Sequence, residues 1–180
     1  MRSQKGQDMG ESVVTDDDAQ LRRALWAMTS GLYLLSLAQE DRLHFMTISL
    51  VMQVAKTPRR LAMSIEDGAI ALEFISKDST IGLVFLDRDQ APLARKFAKA
   101  PIFDQEKMSA SGVPVVREGS SGLWMPSDSL GMVVGRVISS SQLGSHWLVT
   151  TSVDNMVLRQ PLEEWSAVLA MSDTRMHYGG

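Results

Sequence analysis

The sequence predicts a mainly β protein of the β-rich α+β class, an antiparallel barrel flanked by short helices. Apolar and polar residues alternate through several short segments bounded by turn-forming residues, which is typical of half-buried strands. Ile81–Leu86 is apolar throughout, as in a strand covered on both faces. At least six strands follow one another with hairpin connections, and closing them into a barrel removes exposed sheet edges.

Composition narrows the class of protein. The chain has 180 residues, of which 44% are apolar and 22% charged, as expected for one soluble globular domain. The net charge of −3 favours neither a nucleic-acid partner nor a membrane anchor, because both need clustered positive charge. With no cysteine there is no disulfide or thiolate site, and no apolar run approaches a membrane span. We therefore expect a cytoplasmic protein.

The N-terminal region is predicted to hold a tail and a helix. Residues 1–14 are polar and are expected to be disordered, so that residues 15–180 form the single domain. Thr15 and the aspartates after it suit a helix start, and Gly31 suits its end. Three apolar residues share one side of this helix: Leu21, Leu25 and Met28. We expect this stripe to be buried in the core.

The remaining elements are assigned from periodicity and turn residues. The predicted strands are Leu32–Ala38, Leu43–Val54, Leu61–Glu66, Ile81–Leu86, Gly131–Ser139 and His146–Val153. Short helices are predicted within 69–76 and 93–97, and residues 101–122 are expected to be a long loop. The segment Ser140–Ser145 is expected to join the last two strands and end the sheet, while 165–171 suits a final strand or short helix.

The stretch Arg42–Pro58 is the one most suggestive of a binding site. Two sets of side chains alternate along it: Met46, Ile48, Leu50 and Met52 on one face, and Thr47, Ser49 and Gln53 on the other. Hydrogen-bonding side chains spaced about 7 Å apart on a stiff strand suit a planar ligand with heteroatoms at its edge. An ordinary strand facing solvent has the same pattern, and the pattern alone does not separate the two.

Motifs for other chemistry are absent from the sequence. Its three histidines, His44, His146 and His177, are too scattered to predict a metal site. It has no phosphate-loop or dinucleotide glycine signature and no nucleophile elbow. A hydrolase is therefore not expected.

The chain resembles the flavin reductase-like, FMN-binding split-barrel family from about Leu21 to Val157. The matching pieces, in order, are Leu21–Leu25, Gly31–Tyr33, Met46–Ser49, Met52–Val54 with Pro58, Ile81–Leu86, Asp89–Gln90, Leu93–Phe97 and Leu143–Leu148. Each piece alone is weak, whereas their order and spacing together are fairly specific.

The resemblance implies a homodimeric, six-stranded antiparallel split β-barrel that binds FMN, with FAD as an alternative. Its implied activity is hydride transfer from NADH or NADPH to flavin, often in service of a separate monooxygenase. The residues implied to contact the flavin are Met46, Thr47, Ile48, Ser49, Gln53, Val54, Ala55, Lys56 and Arg95. His146 matches a histidine on the nicotinamide side, although a structural role at a strand end suits it equally. Trp124 and Trp147 are candidates for the dimer interface.

The chain also departs from the family pattern. Relatives carry phosphate-holding Lys or Asn, Ser and Thr where this chain has Glu66–Ala71, which begins with two acids. Ala55 stands where Ser or Thr is common, and Val84 where Asn is common. Two hypotheses therefore remain: an NAD(P)H-dependent flavin reductase, and a non-catalytic flavin-binding or structural dimer that has lost turnover.

Overall fold

The computed structural model describes residues 16–28, 30–40 and 42–176. They fall into two units, residues 16–28 and residues 30–176, and each is described by itself. The expected tail, Thr15 and His177 lie outside the described residues. The helices are α1 (Asp18–Trp26) and α2 (Ala91–Lys96), with 3-10 helices at Ile70–Phe74, Arg88–Gln90, Leu162–Glu164 and Met171–Asp173. The strands are β1 (Tyr33–Gln39), β2 (Arg42–Ile48), β3 (Val51–Lys56), β4 (Arg59–Glu66), β5 (Thr80–Phe85), β6 (Phe103–Asp104), β7 (Ser109–Ala110), β8 (Val113–Arg117), β9 (Trp124–Pro126), β10 (Gly131–Leu143), β11 (His146–Ser152) and β12 (Asn155–Leu158).

Helix α1 begins where the acidic run predicts but buries none of its residues. The Asp17 carboxylate caps it by accepting from the Gln20 N–H at 3.0 Å. The helix ends at Trp26, before the predicted Gly31. The expected buried stripe is wrong, since its members are largely exposed: Leu21 by 47%, Leu25 by 64% and Met28 by 71%. Periodicity fixes which side chains share a face of a helix, but not what covers that face.

The main sheet confirms the predicted mainly β split-barrel class. Its strands run in the order β2-β1-β5-β10-β11-β4-β3, all neighbours antiparallel. The two outermost strands, β2 and β3, are consecutive in the chain and are joined by only Ser49 and Leu50. Such a short link forces the two edges of the sheet to the same place. The sheet therefore curls into a barrel, and residues 49–50 form the link between its edges.

Three predicted elements need correction. Leu43–Val54 is not one strand, because the chain leaves β1 at Ile48 and pairs with β4 from Val51. This break gives the path seven strands. The segment Ser140–Ser145 does join β10 to β11 as a hairpin, but β10 continues to Leu143 and only residues 144–145 lie between the two strands. The sheet does not end at β11, since β12 pairs with β10.

The core has two parts, one on each face of the β2-β1-β5-β10 region. Residues inside the barrel include Leu35, Leu83 and Val149. The opposite face is covered by α2 and by the small sheet β6-β7-β8-β9, which occupies the region expected to be a long loop. Strand β5 contributes to both parts, which explains its uninterrupted apolar sequence as predicted.

Candidate functional site

The link between the barrel edges is fixed by backbone hydrogen bonds. The Leu50 carbonyl oxygen accepts from the Ser64 N–H at 2.9 Å, and the Ser49 carbonyl oxygen accepts from the Val51 N–H at 2.9 Å. The link therefore lies beside the middle of β4. Here the chain passes from one edge of the sheet to the other, and β3 continues from it as an edge strand. Backbone groups on the free side of β3 have no strand partner in the described sheet, so they are available to a ligand.

Thr47 connects the end of β2 to helix α2. Its Oγ1 donates to the Ala94 carbonyl oxygen at 2.6 Å, and its N–H donates to the Phe97 carbonyl oxygen at 3.1 Å. The side chain is buried and its only proton is already used. Thr47 can therefore contact a ligand through its carbonyl or methyl group, but not as a hydroxyl donor. The same contact holds exposed Arg95, the residue after Ala94, close to the end of β2.

Ser49 differs from Thr47 in having an uncommitted hydroxyl. The residue is 6% exposed, yet its Oγ has no hydrogen-bond partner within the described residues and is not fully enclosed. A hydroxyl in this state can both donate to and accept from a bound molecule. Among the polar residues predicted for the site, Ser49 is thus the one best prepared to bind a ligand.

The predicted polar ladder of Thr47, Ser49 and Gln53 on one strand face is wrong. Thr47 and Ser49 are buried, whereas Gln53 is exposed and donates its Nε2 proton to the Ala55 carbonyl oxygen at 3.1 Å. The opposite face was expected to be apolar core, and it also divides at the link. Met46 and Ile48 face the barrel interior, while two of its members are exposed: Leu50 by 52% and Met52 by 64%.

The physical reason is a change of strand partner followed by a bulge. The alternation holds only while a strand keeps one partner, and the chain changes partner at residues 49–50. Val54 is then the extra residue of a β-bulge between Gln53 and Ala55, which again shifts the alternation. Val54 is 50% exposed and Ala55 is half-buried.

Lys56 lies at the far end of β3 from the link. It is exposed and pairs across the hairpin with Arg59. Five residue steps separate it from Val51, the first residue of β3, which corresponds to at most about 17 Å at the usual rise of a strand. Arg95 and Lys56 are therefore two sources of positive charge at different places along the candidate site.

His146 lies at the other end of β4, directly opposite Glu66. It is half-buried, and its Nδ1 is 3.0 Å from the Ser145 Oγ. Ser64, which bonds to the link, is two residues before Glu66 on the same strand. The link and His146 thus lie at the same end of the β3-β4-β11 region, whereas Lys56 lies at the opposite end.

The acidic departure at 66–67 has a structural explanation that sequence reasoning missed. The Asp67 carboxylate accepts from the Trp147 Nε1–H at 2.8 Å and from the Gln142 Nε2 at 3.4 Å. The backbone N–H of Asp67 donates to the Ser145 carbonyl oxygen at 2.9 Å. Asp67 therefore ties the turn after β4 to the β10–β11 hairpin. No local signal reveals this contact, because its partners are some 80 residues away. Val84, a further departure from the family pattern, is fully buried in apolar surroundings.

The family model for the flavin reductase like domain matches residues 25–180 of this sequence. The chain belongs to this family. The sequence resemblance and the predicted fold class are thereby confirmed, and the family supports an oxidoreductase that acts on flavin. No protein of curated function matched the sequence.

Solved structures of flavin reductases share the fold. A nitrilotriacetate monooxygenase component B homologue from Mycobacterium thermoresistibile is 15% identical, with a TM-score of 0.71 over 86% of this chain and 82% of its own. The flavin reductase PheA2 is 26% identical, with a TM-score of 0.65 over 79% and 88%. The Streptomyces globisporus NADH:FAD oxidoreductase SgcE6, in complex with NAD and FAD fragments, is 18% identical, with a TM-score of 0.69 over 89% and 90%.

The described residues fit a flavin at the link better than a metal. The described residues contain no group of three or more His, Asp or Glu that suits a metal ion. Separately, no helix among them is long and apolar enough to span a membrane. At the link they offer a free hydroxyl on Ser49, an unpaired strand edge and the nearby cation of Arg95. A flavin ring with its polar edge suits the first two, and a flavin phosphate suits a cation.

Proposed function

We propose that the protein is an NAD(P)H-dependent flavin reductase that passes a hydride to FMN, with the flavin ring at the Ser49–Leu50 link. The observation that carries the proposal is the Ser49 hydroxyl, which is nearly buried, lies at the junction of the barrel edges and has no partner in the described chain. Family membership over residues 25–180 supplies the class of chemistry. FAD is the alternative flavin.

The chain's own residues would bind and orient the two nucleotides. Ser49 and the backbone of Thr47, Gln53 and Val54 would contact the ring edge, with Met46, Ile48 and Ala55 supporting them. Lys56 and Arg95 are the proposed sources of positive charge for the phosphate end. His146 would lie on the nicotinamide side, at the end of the barrel that holds the link.

The chemistry itself comes from the cofactors. Bound face to face, reduced nicotinamide supplies a hydride and oxidised flavin accepts it. The protein needs to hold the reacting atoms in contact and to exclude water from between them. It needs no nucleophile or general acid, so the absence of catalytic triads from the sequence is compatible with this function.

Assembly and downstream partner complete the proposal. We propose a homodimer whose interface borders the flavin site, with Trp124 and Trp147 near it, and a separate monooxygenase as the acceptor of reduced flavin. One relative of the same fold is named as a component of a monooxygenase. The exposed Leu50, Met52 and Val54 on the edge strand also suit burial by another protein surface.

One observation favours the alternative of a non-catalytic dimer. The turn that holds phosphate in relatives carries Glu66 and Asp67 here, and Asp67 is committed to Trp147 at 2.8 Å. An anion would be repelled at this place. A dimer that kept the barrel without turnover accounts for this change, whereas a reductase requires the phosphate to be held elsewhere.

The deciding experiment follows oxidation of NADH and of NADPH by the absorbance of the reduced nicotinamide, with and without FMN or FAD. A flavin-dependent decrease with either donor supports the reductase. A Ser49→Ala variant should turn over more slowly at limiting flavin, and Lys99→Ala, which changes an exposed residue outside the proposed site, should not. If neither donor is oxidised with either flavin, while flavin still quenches protein fluorescence on binding, the non-catalytic alternative stands.

A further inference from the structure

Three basic residues are concentrated at the tip of the β3–β4 hairpin. Lys56 ends β3, and Arg59 and Arg60 begin β4. Lys56 and Arg59 are exposed and Arg60 is half-buried. We call these three residues the basic tip. Exposed lysines and arginines are usually only solvated, so exposure alone does not indicate a binding site. The arrangement of these three residues does indicate one.

Lys56 and Arg59 are direct cross-strand partners, and Arg60 pairs with Ala55 beside them. Partners in an antiparallel pair have Cα atoms about 4.5 to 5.5 Å apart, and like charges at this distance destabilise the pair. Lys56 and Arg59 therefore place two positive charges opposite each other in a chain whose net charge is −3. An excess of positive charge in the chain does not explain this pairing.

The basic tip has no counter-charge of its own in the described chain. None of its three residues forms an ion pair there. The same holds for eight other described cations, so what distinguishes the basic tip is the cross-strand pairing of Lys56 with Arg59. The Asp154 carboxylate feels the charge of Arg60, but it is bound to the Arg136 Nε at 3.0 Å. Partial burial of Asp154 would raise its pKa. The pKa is nevertheless lowered, because hydrogen bonds from Ser152 and Arg136 and the nearby positive charges have a larger effect than burial.

Charge is also separated along the hairpin. The basic tip lies at one end, and Glu66 and Asp67 lie at the other. The link at Ser49 lies near the acidic end, and β3 runs from it over at most about 17 Å, from Val51 to Lys56. An elongated ligand along this free edge, with an uncharged ring at the link and an anionic group at its far end, matches both ends.

We propose that the basic tip binds the phosphate monoester of a nucleotide that lies along β3. A phosphate monoester is close to a dianion at neutral pH and concentrates its charge on one group, so it can offset the repulsion between Lys56 and Arg59. The flavin 5′-phosphate of FMN and the 2′-phosphate of NADPH are both of this kind. Riboflavin and NADH lack such a group. This inference rests on the proposed function for the identity of the nucleotide, but not for the anion site.

The first test does not depend on the nucleotide. Wild type and the triple variant Lys56→Ala, Arg59→Ala, Arg60→Ala are melted in inorganic phosphate and in chloride of equal ionic strength. Wild type should melt at a higher temperature in phosphate, and the triple variant should lose this difference. In chloride, loss of the Lys56–Arg59 repulsion should stabilise the variant and loss of the Arg60 charge near Asp154 should oppose this, so the quantity compared is the difference between phosphate and chloride for each protein. A matched control, Lys77→Ala, Lys99→Ala, Arg175→Ala, removes the same charge from exposed positions that have no ion pair and lie outside the basic tip, and it should keep the phosphate effect.

The second test identifies the source of the phosphate. Affinities for FMN and riboflavin, and for NADPH and NADH, are measured by fluorescence in the three proteins. A preference of about tenfold or more within one pair, retained by the control and lost in the triple variant, supports the proposal and names the source. If no phosphate effect on melting and no such preference is found, the basic tip is not a phosphate site, even where flavin still binds and is reduced. If neither nucleotide binds at all, the proposed function fails, and the melting test still decides whether the basic tip binds phosphate.

Discussion

The Thr47 hydroxyl donates a 2.6 Å hydrogen bond to the carbonyl oxygen of Ala94, and this contact fastens helix α2 to the end of β2. It separates two residues that look equivalent in the sequence. The Thr47 hydroxyl donates its proton to another residue of the protein, whereas the hydroxyl of Ser49, two residues later, has no hydrogen-bond partner within the described chain. Structural and ligand-binding roles should therefore divide between them.

Thr47→Val should lower stability with a smaller effect on flavin binding. Valine keeps the shape but leaves the buried Ala94 carbonyl without its donor, at a cost of about 1 to 3 kcal/mol. Denaturant unfolding measures this loss. Thr47→Ser is the matched control, since it restores the donor and should recover most of the stability.

Ser49→Ala should show the opposite behaviour. No hydrogen bond within the described chain is lost, so the unfolding free energy should change by less than about 1 kcal/mol. Flavin affinity should fall by about twofold to tenfold, because one hydrogen bond usually contributes about 0.5 to 1.5 kcal/mol of binding free energy. An unchanged affinity measured by fluorescence quenching would remove Ser49 from the site.

His44 should make stability depend on pH. It is buried and stacks on Phe74 at 5.6 Å between ring centroids. Burial lowers its pKa; the charge of Glu73 opposes this shift and that of Arg42 adds to it. The unfolded chain, with an ordinary histidine pKa near 6.5, therefore takes up a proton first as the pH falls. Stability should be full above about pH 6.5 and decrease toward the lower folded-state pKa.

The measurement is a series of melting temperatures across that pH range for wild type and His44→Gln. Glutamine cannot titrate, so the difference between the two curves isolates His44 from the carboxylates. Arg42 and Glu73, which form a 2.6 Å ion pair beside the ring, stay the same in both proteins. Parallel curves would show that His44 does not contribute to the pH dependence.

Leu25→Asp tests the corrected view of α1. A buried stripe predicts a severe loss, because an unpaired carboxylate would enter the core. Leu25 is instead 64% exposed, so the unfolding free energy should change by only about 0.5 kcal/mol. Leu35→Ala, at a fully buried barrel position, is the comparison and should cost about 2 to 5 kcal/mol. A loss of similar size for Leu25→Asp would contradict the exposed placement.

The sequence predicted those features that depend on local periodicity and failed where distant contacts decide. The apolar run of β5 and the alternation of Met63 and Ile65 in β4 gave correct strands, because each strand keeps the same covering layers along its length. The break at Ser49–Leu50 was missed, since a change of strand partner leaves the alternation of residue types intact. The burial of Thr47 depends on α2, some 47 residues later, and the role of Asp67 depends on Trp147. No pattern within one segment contains that information.

Assembly is tested by sedimentation velocity at micromolar concentration, where we expect a homodimer. The exposed apolar residues Leu50, in the link, and Met52 and Val54, on the edge strand β3, lie close together in the chain, and burying them would stabilise a dimer. Met52→Lys should therefore weaken association, while Ile102→Lys, at a residue that is 80% exposed on another part of the surface, should not. A monomeric wild type would contradict the proposed dimer.

The contribution of the flavin phosphate should be modest and should come from the basic tip, in which Lys56 is the residue on β3. Glu66 and Asp67 should disfavour an anion at the turn after β4, so the proposed cations are Arg95, next to Ala94 in α2, and Lys56 at the far end of β3. With the ring proposed at Ser49 to Gln53, we expect the ribityl chain to run along β3 toward Lys56. The basic tip, with the exposed Lys56 and Arg59 and the half-buried Arg60, gives less than a complete cradle of charge-assisted hydrogen bonds. FMN and riboflavin should therefore bind within roughly 1.4 to 3 kcal/mol of each other, a factor of about ten to a hundred or so.

The Lys56→Ala variant should bind FMN more weakly and riboflavin as tightly as wild type does. The Arg95→Ala variant, which also removes one positive charge, should lose less FMN affinity. A larger loss of FMN affinity in Arg95→Ala would reverse the direction of the flavin along the strand. Tight FMN binding with no detectable binding of riboflavin would instead require a complete phosphate site.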